Sequence, residues 1–114
     1  MDNCLFCKII KGDIPTNKVY ENDHVLAFRD IDPKAPVHIL VIPKKHIKSI
    51  NDLKSSDKYL AGELILASKK IAKDQGIDSK GFRTIFNTND DGGQTVYHIH
   101  MHIMGGRQMK WPPG

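Results

Sequence analysis

The sequence predicts an α+β fold, in which a five-stranded antiparallel sheet carries one long helix and a short N-terminal helix. Two observations lead to this prediction. The strand-like segments are joined by polar, hairpin-like connections, which favour an antiparallel arrangement. One stretch alone has helical periodicity over several turns. The 114 residues suffice for one compact domain with one core, which we place at residues 1–114.

Five segments have the alternation or the continuous apolar character of β-strands. They are residues 19–20, 24–28, 37–42, 82–87 and 97–104. The third segment is apolar on both faces except at His38, which predicts a central strand. A single histidine in such a strand is usually a core residue with a satisfied hydrogen bond.

Residues 56–75 form the long predicted helix. Apolar residues recur in it at three- and four-residue spacing, namely Leu60, Leu64, Ala67 and Ile71. Ser55 or Ser56 can cap the N-terminus, and Gly76 is the expected stop. Leu66 lies outside the main apolar stripe, so the apolar arc is broad. This width predicts a helix that packs on the sheet and also against a partner subunit.

The net charge is +4, and some lysines occur in local groups such as Lys44, Lys45 and Lys48. Such groups usually form solvated surface, and the functional alternative is a field that attracts small anions. Nucleic acid is disfavoured as a partner because the basic residues are not interleaved with aromatic ones. Residues 1–3 are not the basic start of a secretory signal, and no apolar run is as long as a membrane span. With two cysteines, these features predict a cytoplasmic protein without membrane contact.

Three of the six histidines alternate with apolar residues near the end of the chain. His98, His100 and His102 should line one face of a strand, while the apolar residues between them enter the core. At about 3.3 Å per residue, the outer two histidines lie about 13 Å apart and cannot share one ion, whereas neighbours about 6.6 Å apart can. Three imidazoles in a row indicate a site that needs groups titrating near neutral pH. Metal binding and phosphate handling are both open at this point.

A Cys-x-x-Cys motif, Cys4 and Cys7, precedes a short helical segment that ends at Gly12. The pair could be half of a zinc site, a redox pair, or two small buried apolar residues. A redox role is disfavoured because no strand precedes the motif. A zinc site needs two more ligands, which histidines elsewhere could supply.

Three other segments have a functional and a structural interpretation. Asp30 or Asp32 could accept hydrogen bonds from a ribose diol, or could cap a turn. The glycine-rich residues 89–94 could face an anion, or form an ordinary hairpin loop. Trp111, in the proline-stiffened tail, could be a packing anchor or could reach a neighbouring site.

These motifs occur together in a known family. The pattern His-φ-His-φ-His-φ-φ, where φ is apolar, spans residues 98–104 and resembles the signature of the histidine triad family of nucleotide-binding proteins. The resemblance covers nearly the whole chain and includes residues 30–46, 87, 91–97, 105–107 and 111–114. The segment at 91–97 and the Trp-Pro-Pro-Gly tail look like those of the nucleoside phosphoramidase branch.

The resemblance implies a homodimer in which two five-stranded sheets join into one ten-stranded sheet. It also implies hydrolysis of purine nucleoside monophosphates linked through phosphorus–nitrogen bonds, such as adenosine 5′-monophosphoramidate or AMP attached to a lysine amine. His100 would be the nucleophile, His38 and His98 would support it, and His102 and Thr95 would handle the phosphate and the proton of the leaving group. The implied nucleotide-binding residues are Asp30, Ile31, Asn87, Gly93, Gln94, Thr95, His100, His102 and Trp111. No metal or other cofactor is required for this scheme, because a neutral imidazole is a competent nucleophile.

Two features qualify the resemblance. Thr95 stands where a serine is usual, and its methyl group stiffens the side chain, which affects the expected range of leaving groups. Many bacterial members carry the cysteine pair, which there resembles a zinc site completed by two histidines. Here the four ligands would be Cys4, Cys7, His46 and His98, a Cys2His2 set typical of structural zinc. His98 would then position the strand that carries His100.

Alternative functions follow from the same residues. A sister branch cleaves diadenosine polyphosphates, which the 91–97 segment and the tail disfavour. A purine nucleotide-binding regulatory module with little turnover is the non-catalytic alternative. A mononuclear histidine metalloenzyme is the least favoured.

Overall fold

The computed structural model describes residues 3–114. The prediction that residues 1–3 do not begin a secretory signal falls mostly on Met1 and Asp2, which lie outside the described residues. The helices are α1 (Leu5–Lys11) and α2 (Lys58–Asp74). The strands are β1 (Lys18–Glu21), β2 (Val25–Arg29), β3 (Val37–Pro43), β4 (Phe82–Phe86) and β5 (Met101–Gly105). All neighbouring strands are antiparallel in the order β1-β2-β3-β5-β4. The predicted α+β class and the central position of the 37–42 strand are confirmed.

The sheet has a helix on each face, and alternate residues of each strand meet one helix or the other. The core under α2 joins helix and sheet residues, namely Val25, Ala27, Ile39, Val41, Leu64, Ala67, Ile71, Met101 and Ile103. The core under α1 is smaller and contains Phe6, Ile9, Leu26, Phe28, Leu40 and Ile42. Because strand side chains alternate, His38 shares the α1 face with Leu40. On β5, His102 lies between the α2-facing Met101 and Ile103 and therefore also faces α1.

Helix α2 ends as the sequence predicts. Gly76 has a φ of +73°, and its N–H donates to the Lys73 carbonyl at 3.1 Å. The next N–H, of Ile77, donates to the Ala72 carbonyl at 3.0 Å. These two bonds form a Schellman motif, which favours glycine because the left-handed conformation costs it little.

The start of α2 differs from the prediction. Residues 55–57 form a 3-10 turn, and the α-helix begins at Lys58 rather than Ser56. Neither Ser55 nor Ser56 is the N-cap; the buried Asp57 takes that position. Its carboxylate accepts the Lys54 N–H at 2.9 Å and pairs with the Lys45 ammonium at 2.7 Å. These bonds stabilise a tight turn ahead of the helix, which propensity alone does not indicate.

Two large apolar side chains of α2 point away from the sheet. Ile65 is 60% exposed and Leu66 is 63% exposed. The outward position of Leu66 agrees with its place outside the buried stripe. Among the described residues, no helix is long and apolar enough to cross a membrane.

The histidine strand is shorter than predicted. β5 begins at Met101, so residues 97–100 lie outside the sheet. The cause is their backbone partner: the Ile99 N–H donates to the carbonyl of Ile47, a loop residue, at 2.6 Å. Side chains still alternate between the two sides of the sheet where β5 begins. Met101 packs under α2, while the Phe6 ring of α1 contacts the rings of His98 and His100.

Candidate active site and metal centre

His100 occupies the centre of the histidine segment, and its ring is held in one tautomer. Its Nδ1–H donates to the His98 carbonyl oxygen at 2.8 Å. A carbonyl can only accept, so the proton of the neutral ring resides on Nδ1 and Nε2 carries a lone pair. The side chain is 8% exposed, and the edge of Phe6 meets it with ring centroids 5.1 Å apart.

Burial also keeps His100 uncharged. Loss of hydration lowers the pKa of His100 below its ordinary value, although the hydrogen bond to His98 and the charge of Asp30 act in the opposite direction. A neutral ring with a free Nε2 can attack an electrophile without first losing a proton. His100 therefore has the protonation state that a nucleophile requires near neutral pH.

A chain of hydrogen bonds lies on the C-terminal side of His100. The backbone N–H of Lys34 donates to His38 Nδ1 at 3.0 Å. His38 Nε2 lies 2.9 Å from His102 Nδ1 and 3.4 Å from a carboxylate oxygen of Asp30. The rings of His100 and His102 are neighbours, with centroids 5.1 Å apart.

The backbone amide sets the direction of this chain. Because an amide N–H can only donate, His38 Nδ1 is an acceptor and the proton of the neutral ring is on Nε2. That proton is then donated to His102 Nδ1, which leaves the His102 proton on Nε2. His102 therefore offers a hydrogen-bond donor at its outer nitrogen. Burial lowers the pKa of His38 and lowers that of His102 to about 4, so both rings are neutral donors at pH 7.

A second cluster lies on the N-terminal side of His100. Its donor atoms come from α1 and its N-cap residue Cys4, from the loop after β3 and from the histidine segment. His98 Nδ1 lies 3.4 Å from Cys4 Sγ, 3.6 Å from Cys7 Sγ and 3.1 Å from His46 Nδ1. His46 Nδ1 lies 3.4 Å from Cys7 Sγ. All four donor atoms are within 4.8 Å of one another.

The Cys4, Cys7, His46 and His98 cluster fits a tetrahedral ion. Zinc–sulfur bonds of about 2.3 Å and zinc–nitrogen bonds of about 2.0–2.1 Å separate tetrahedral ligands by about 3.3–3.8 Å. The distances of 3.1–3.6 Å from His98 and His46 lie close to this range. His98 Nε2 donates to the Pro43 carbonyl at 2.8 Å, which leaves the lone pair of Nδ1 directed at the cluster.

The protonation states in this cluster also suit a metal. Burial lowers the pKa of His98 to about 4 and lowers that of His46, so both rings are neutral ligands. Burial raises the pKa of the Cys7 thiol, and a bound cation would reverse this effect by stabilising the thiolate.

The Asp30, His38 and His102 cluster also has three donor atoms within 4.8 Å of one another, but it does not fit a metal equally well. A metal on His38 Nε2 would need that nitrogen's lone pair while Nδ1 accepts from Lys34. The ring would then carry no proton on either nitrogen, which a neutral histidine does not permit.

Most of the other predicted site residues are exposed or only partly buried. Ile31 is 99% exposed and Trp111 is 80% exposed. Asn87 is partly buried after β4, while Gly93 and Thr95 are exposed. Within residues 3–114, no hydrogen bond joins any of these five to the histidines.

Gln94 differs from this group because it is buried and its side-chain amide is used internally. The amide nitrogen donates to the Lys48 and Val96 carbonyls at 2.8 and 3.1 Å. The amide oxygen accepts the Asn89 N–H at 2.9 Å. A side-chain contact from Gln94 to a nucleotide would break these bonds, so only its backbone is available.

Two functional contacts were not predicted from the sequence. Phe6 touches both His98 and His100, and the signal that could have indicated it was its place beside Ile9 on the apolar face of α1. The Lys34 amide fixes the His38 tautomer, and no side-chain pattern indicates a backbone donor.

Comparison with known proteins agrees with this geometry. A family model described as HIT domain matches residues 11–109, and the chain belongs to the HIT family, as the histidine pattern predicts. The purine nucleoside phosphoramidase of Escherichia coli K12 is 48% identical over 95% of this chain and 91% of its own length. An uncharacterised HIT-like protein of Synechococcus elongatus is 50% identical over 99% of this chain and 98% of its own.

A solved structure has nearly the same backbone. The HIT family hydrolase from Legionella pneumophila has a TM-score of 0.97 and 54% identity, covering 98% of this chain and all of its own. A histidine triad protein from Clostridium difficile has a TM-score of 0.92 and 49% identity, covering 96% of this chain and 95% of its own.

Proposed function

We propose that this protein is a purine nucleoside phosphoramidase. It would hydrolyse the phosphorus–nitrogen bond of AMP–amine conjugates, including AMP linked to a lysine amine, through a nucleotidyl-histidine intermediate on His100. The observation that carries the proposal is the buried His100 ring, whose Nδ1–H is held by the His98 carbonyl at 2.8 Å so that Nε2 is free to attack. The 48% identity to the Escherichia coli phosphoramidase supports the choice of substrate class.

The reaction balances in two steps. In the first, the lone pair of His100 Nε2 forms a bond to phosphorus, the phosphorus–nitrogen bond breaks, and the amine leaves with a proton from solvent. In the second, water attacks phosphorus and gives up a proton to solvent, the histidine–phosphorus bond breaks, and AMP is released with the neutral His100 ring restored. Two steps avoid the direct attack of water on an anionic phosphoryl group.

His102 would stabilise the phosphoryl group. Its neutral ring offers the Nε2 proton to a non-bridging oxygen, where negative charge concentrates in the transition state. The bond from His38 at 2.9 Å holds that ring in the donating tautomer. The chain ends at the Lys34 amide, so His102 is a fixed donor that is not resupplied with protons through His38. Thr95, with water, is the remaining candidate for passing a proton to the amine.

The nucleotide would lie across the exposed residues near the histidines. Asp30 would accept from the ribose hydroxyls, and Ile31, which is 99% exposed, would cover the purine. Asn87, Gly93, Thr95 and the backbone of Gln94 would surround the phosphate. Trp111 would approach the site of a partner subunit.

We further propose that Cys4, Cys7, His46 and His98 hold a structural zinc ion. Four protein ligands leave no open position, so the ion would supply folding energy rather than chemistry. Its place would tie α1 to the loop after β3 and to the segment that carries His100. No cofactor is proposed for catalysis.

We also propose a cytoplasmic homodimer. The exposed Ile65 and Leu66 on α2 form an apolar surface that a second subunit would cover. A ten-stranded sheet would have to join two protomers through an edge strand, which is β1 or β4.

A comparison of two substrates tests the proposed activity. Adenosine 5′-monophosphoramidate should be hydrolysed much faster than a diadenosine polyphosphate, and His100→Ala should abolish the difference. A faster rate on the dinucleotide would support the sister activity instead. Tight AMP binding with negligible turnover of either substrate would support a regulatory binding module.

A further inference from the structure

Gln94 is a buried polar residue whose side-chain amide bonds only to backbone groups. It is 5% exposed, and both the nitrogen and the oxygen of its side-chain amide are bonded to backbone groups. The bonds reach three separate places, namely the glycine-rich turn at Asn89, the segment before the histidines at Val96, and the loop after β3 at Lys48. An apolar side chain of similar size could fill this space but could not replace the bonds.

The bond to Lys48 is one of three that hold the same loop. His98 Nε2 donates to the Pro43 carbonyl at 2.8 Å, the Ile99 N–H donates to the Ile47 carbonyl at 2.6 Å, and Gln94 donates to the Lys48 carbonyl at 2.8 Å. The loop from 43 to 48 is thus bonded to the 94–99 segment at its beginning and at its end.

His46 lies inside this clamped loop, outside any helix or strand. Its Nδ1 lies 3.1 Å from His98 Nδ1 and 3.4 Å from Cys7 Sγ. Among its neighbours, Lys48 is exposed, Ile47 is buried, and the exposed Lys45 pairs with Asp57 at 2.7 Å. The hydrogen bonds at the two ends of the loop therefore act together with these contacts to hold the His46 ring in place.

We infer that Gln94 is a positioning residue for the metal centre, because it fixes the C-terminal end of the loop that carries His46. The inference rests on the proposed zinc site. It assigns to Gln94 a role in metal affinity that is separate from any contact with the nucleotide. Groups that orient metal ligands through hydrogen bonds typically change metal affinity by about 10- to 100-fold when they are removed.

The test is a metal titration of the Gln94→Met variant. Co²⁺ would replace zinc and report the ligand geometry through its visible absorption, and a competing chelator would give the affinity. We expect Gln94→Met to bind Co²⁺ about 10- to 100-fold more weakly than the unmodified protein, with an altered spectrum. Gln94→Glu keeps an oxygen for the Asn89 N–H but loses both donated bonds, so it should weaken binding similarly and serves if the methionine variant does not fold.

Two controls separate positioning from general destabilisation. Gln108→Met makes the same change at an exposed glutamine and should bind Co²⁺ as the unmodified protein does. Val19→Ala removes an apolar contact from the core under α2, on the opposite face of the sheet from α1. It should lower the melting temperature without changing the Co²⁺ spectrum.

The inference is overturned if folded Gln94→Met binds Co²⁺ with unchanged affinity and spectrum, or if Val19→Ala weakens binding equally. Absence of Co²⁺ and zinc binding in the unmodified protein would overturn both this inference and the proposed zinc site. That result would leave the phosphoramidase proposal standing, because the rate on adenosine 5′-monophosphoramidate is measured separately.

Discussion

Two histidine clusters lie on either side of His100, and they differ in where their protons are. In the cluster of Cys4, Cys7, His46 and His98, the His98 proton is directed away, to the Pro43 carbonyl, and lone pairs converge. In the cluster of Asp30, His38 and His102, a proton lies between the two rings because the Lys34 amide occupies the other nitrogen of His38. The first arrangement suits a cation, and the second suits donation to an anion.

This difference shows that the function of a histidine depends on the partner of its second nitrogen. A carbonyl partner produces a ligand, and an amide N–H partner produces a donor. His100 has the carbonyl partner of the first arrangement, but its free Nε2 is not part of the cluster that contains the two cysteines.

Removal of a bound metal should have the largest effect of the changes considered, and it should act on the cluster of Cys4, Cys7, His46 and His98. Chelation should lower the free energy of unfolding by about 3 kcal/mol or more, because a structural zinc ion contributes its binding energy to folding. Urea unfolding with and without chelator measures this loss. The double variant Cys4→Ala, Cys7→Ala should be insensitive to chelator, and a chelator effect in that variant would place the metal elsewhere.

Replacement of His38 by glutamine should affect the cluster of Asp30, His38 and His102 and leave the cluster with the two cysteines unchanged. We expect turnover to fall by about 10- to 100-fold, because His102 loses the neighbour that fixes its tautomer. The metal content should equal that of the unmodified protein, since His38 does not belong to the cluster of Cys4, Cys7, His46 and His98. Parallel kinetics and elemental analysis test this, and a simultaneous loss of metal would contradict the separation.

The pH dependence of stability should reveal the neutral state of His102. Burial lowers its pKa to about 4, whereas in the unfolded chain it takes up a proton near its ordinary pKa of 6.5. Its contribution is therefore complete above pH 6.5 and is lost as the pH falls from 6.5 towards 4. The half-buried ring should account for about 1–2 kcal/mol of this loss.

A matched pair of urea titrations measures the His102 contribution. The unmodified protein should lose more stability than His102→Gln between pH 7 and pH 4.5, because only the former can protonate at this position. All other groups are the same in both proteins, so their effects cancel in the difference. Equal losses would show that His102 is not held neutral by the fold.

Replacement of Lys34 by alanine should have the smallest effect. His38 is held by the backbone N–H of Lys34, which alanine retains. Among the described residues, the Lys34 side chain pairs only with the exposed Asp32, at 2.6 Å, and such surface pairs contribute little to stability. Turnover should stay within about twofold of the unmodified protein. A large loss would mean that the lysine charge itself acts on the substrate.

Much of the fold was predictable because its signals are local. The alternation in β5, the apolar run of β3 and the glycine at the end of α2 each depend on a few neighbouring residues. The start of α2 was missed because Asp57 acts through Lys45, which lies twelve residues earlier. The early end of the histidine strand depends on Ile47, which lies over fifty positions away from Ile99.

The residue types of the candidate site were predictable from the sequence. The ring nitrogen that carries the proton in each histidine was not. The family resemblance implied Cys4, Cys7, His46 and His98 as a set, and the structure brings their donor atoms within 4.8 Å of one another. The Lys34 amide and the Pro43 carbonyl decide the tautomers of His38 and His98, yet backbone groups are present at every residue. Their role appears only in three dimensions.

The measurement that tests the central claim most directly is the intact mass of the protein after mixing with adenosine 5′-monophosphoramidate. A His102→Ala variant should slow the second step, so that a covalent adduct with the mass of one AMP unit accumulates and disappears as AMP is released. The double variant His100→Ala, His102→Ala should show no adduct. An adduct that persists without His100 would contradict the assignment of His100 as the nucleophile.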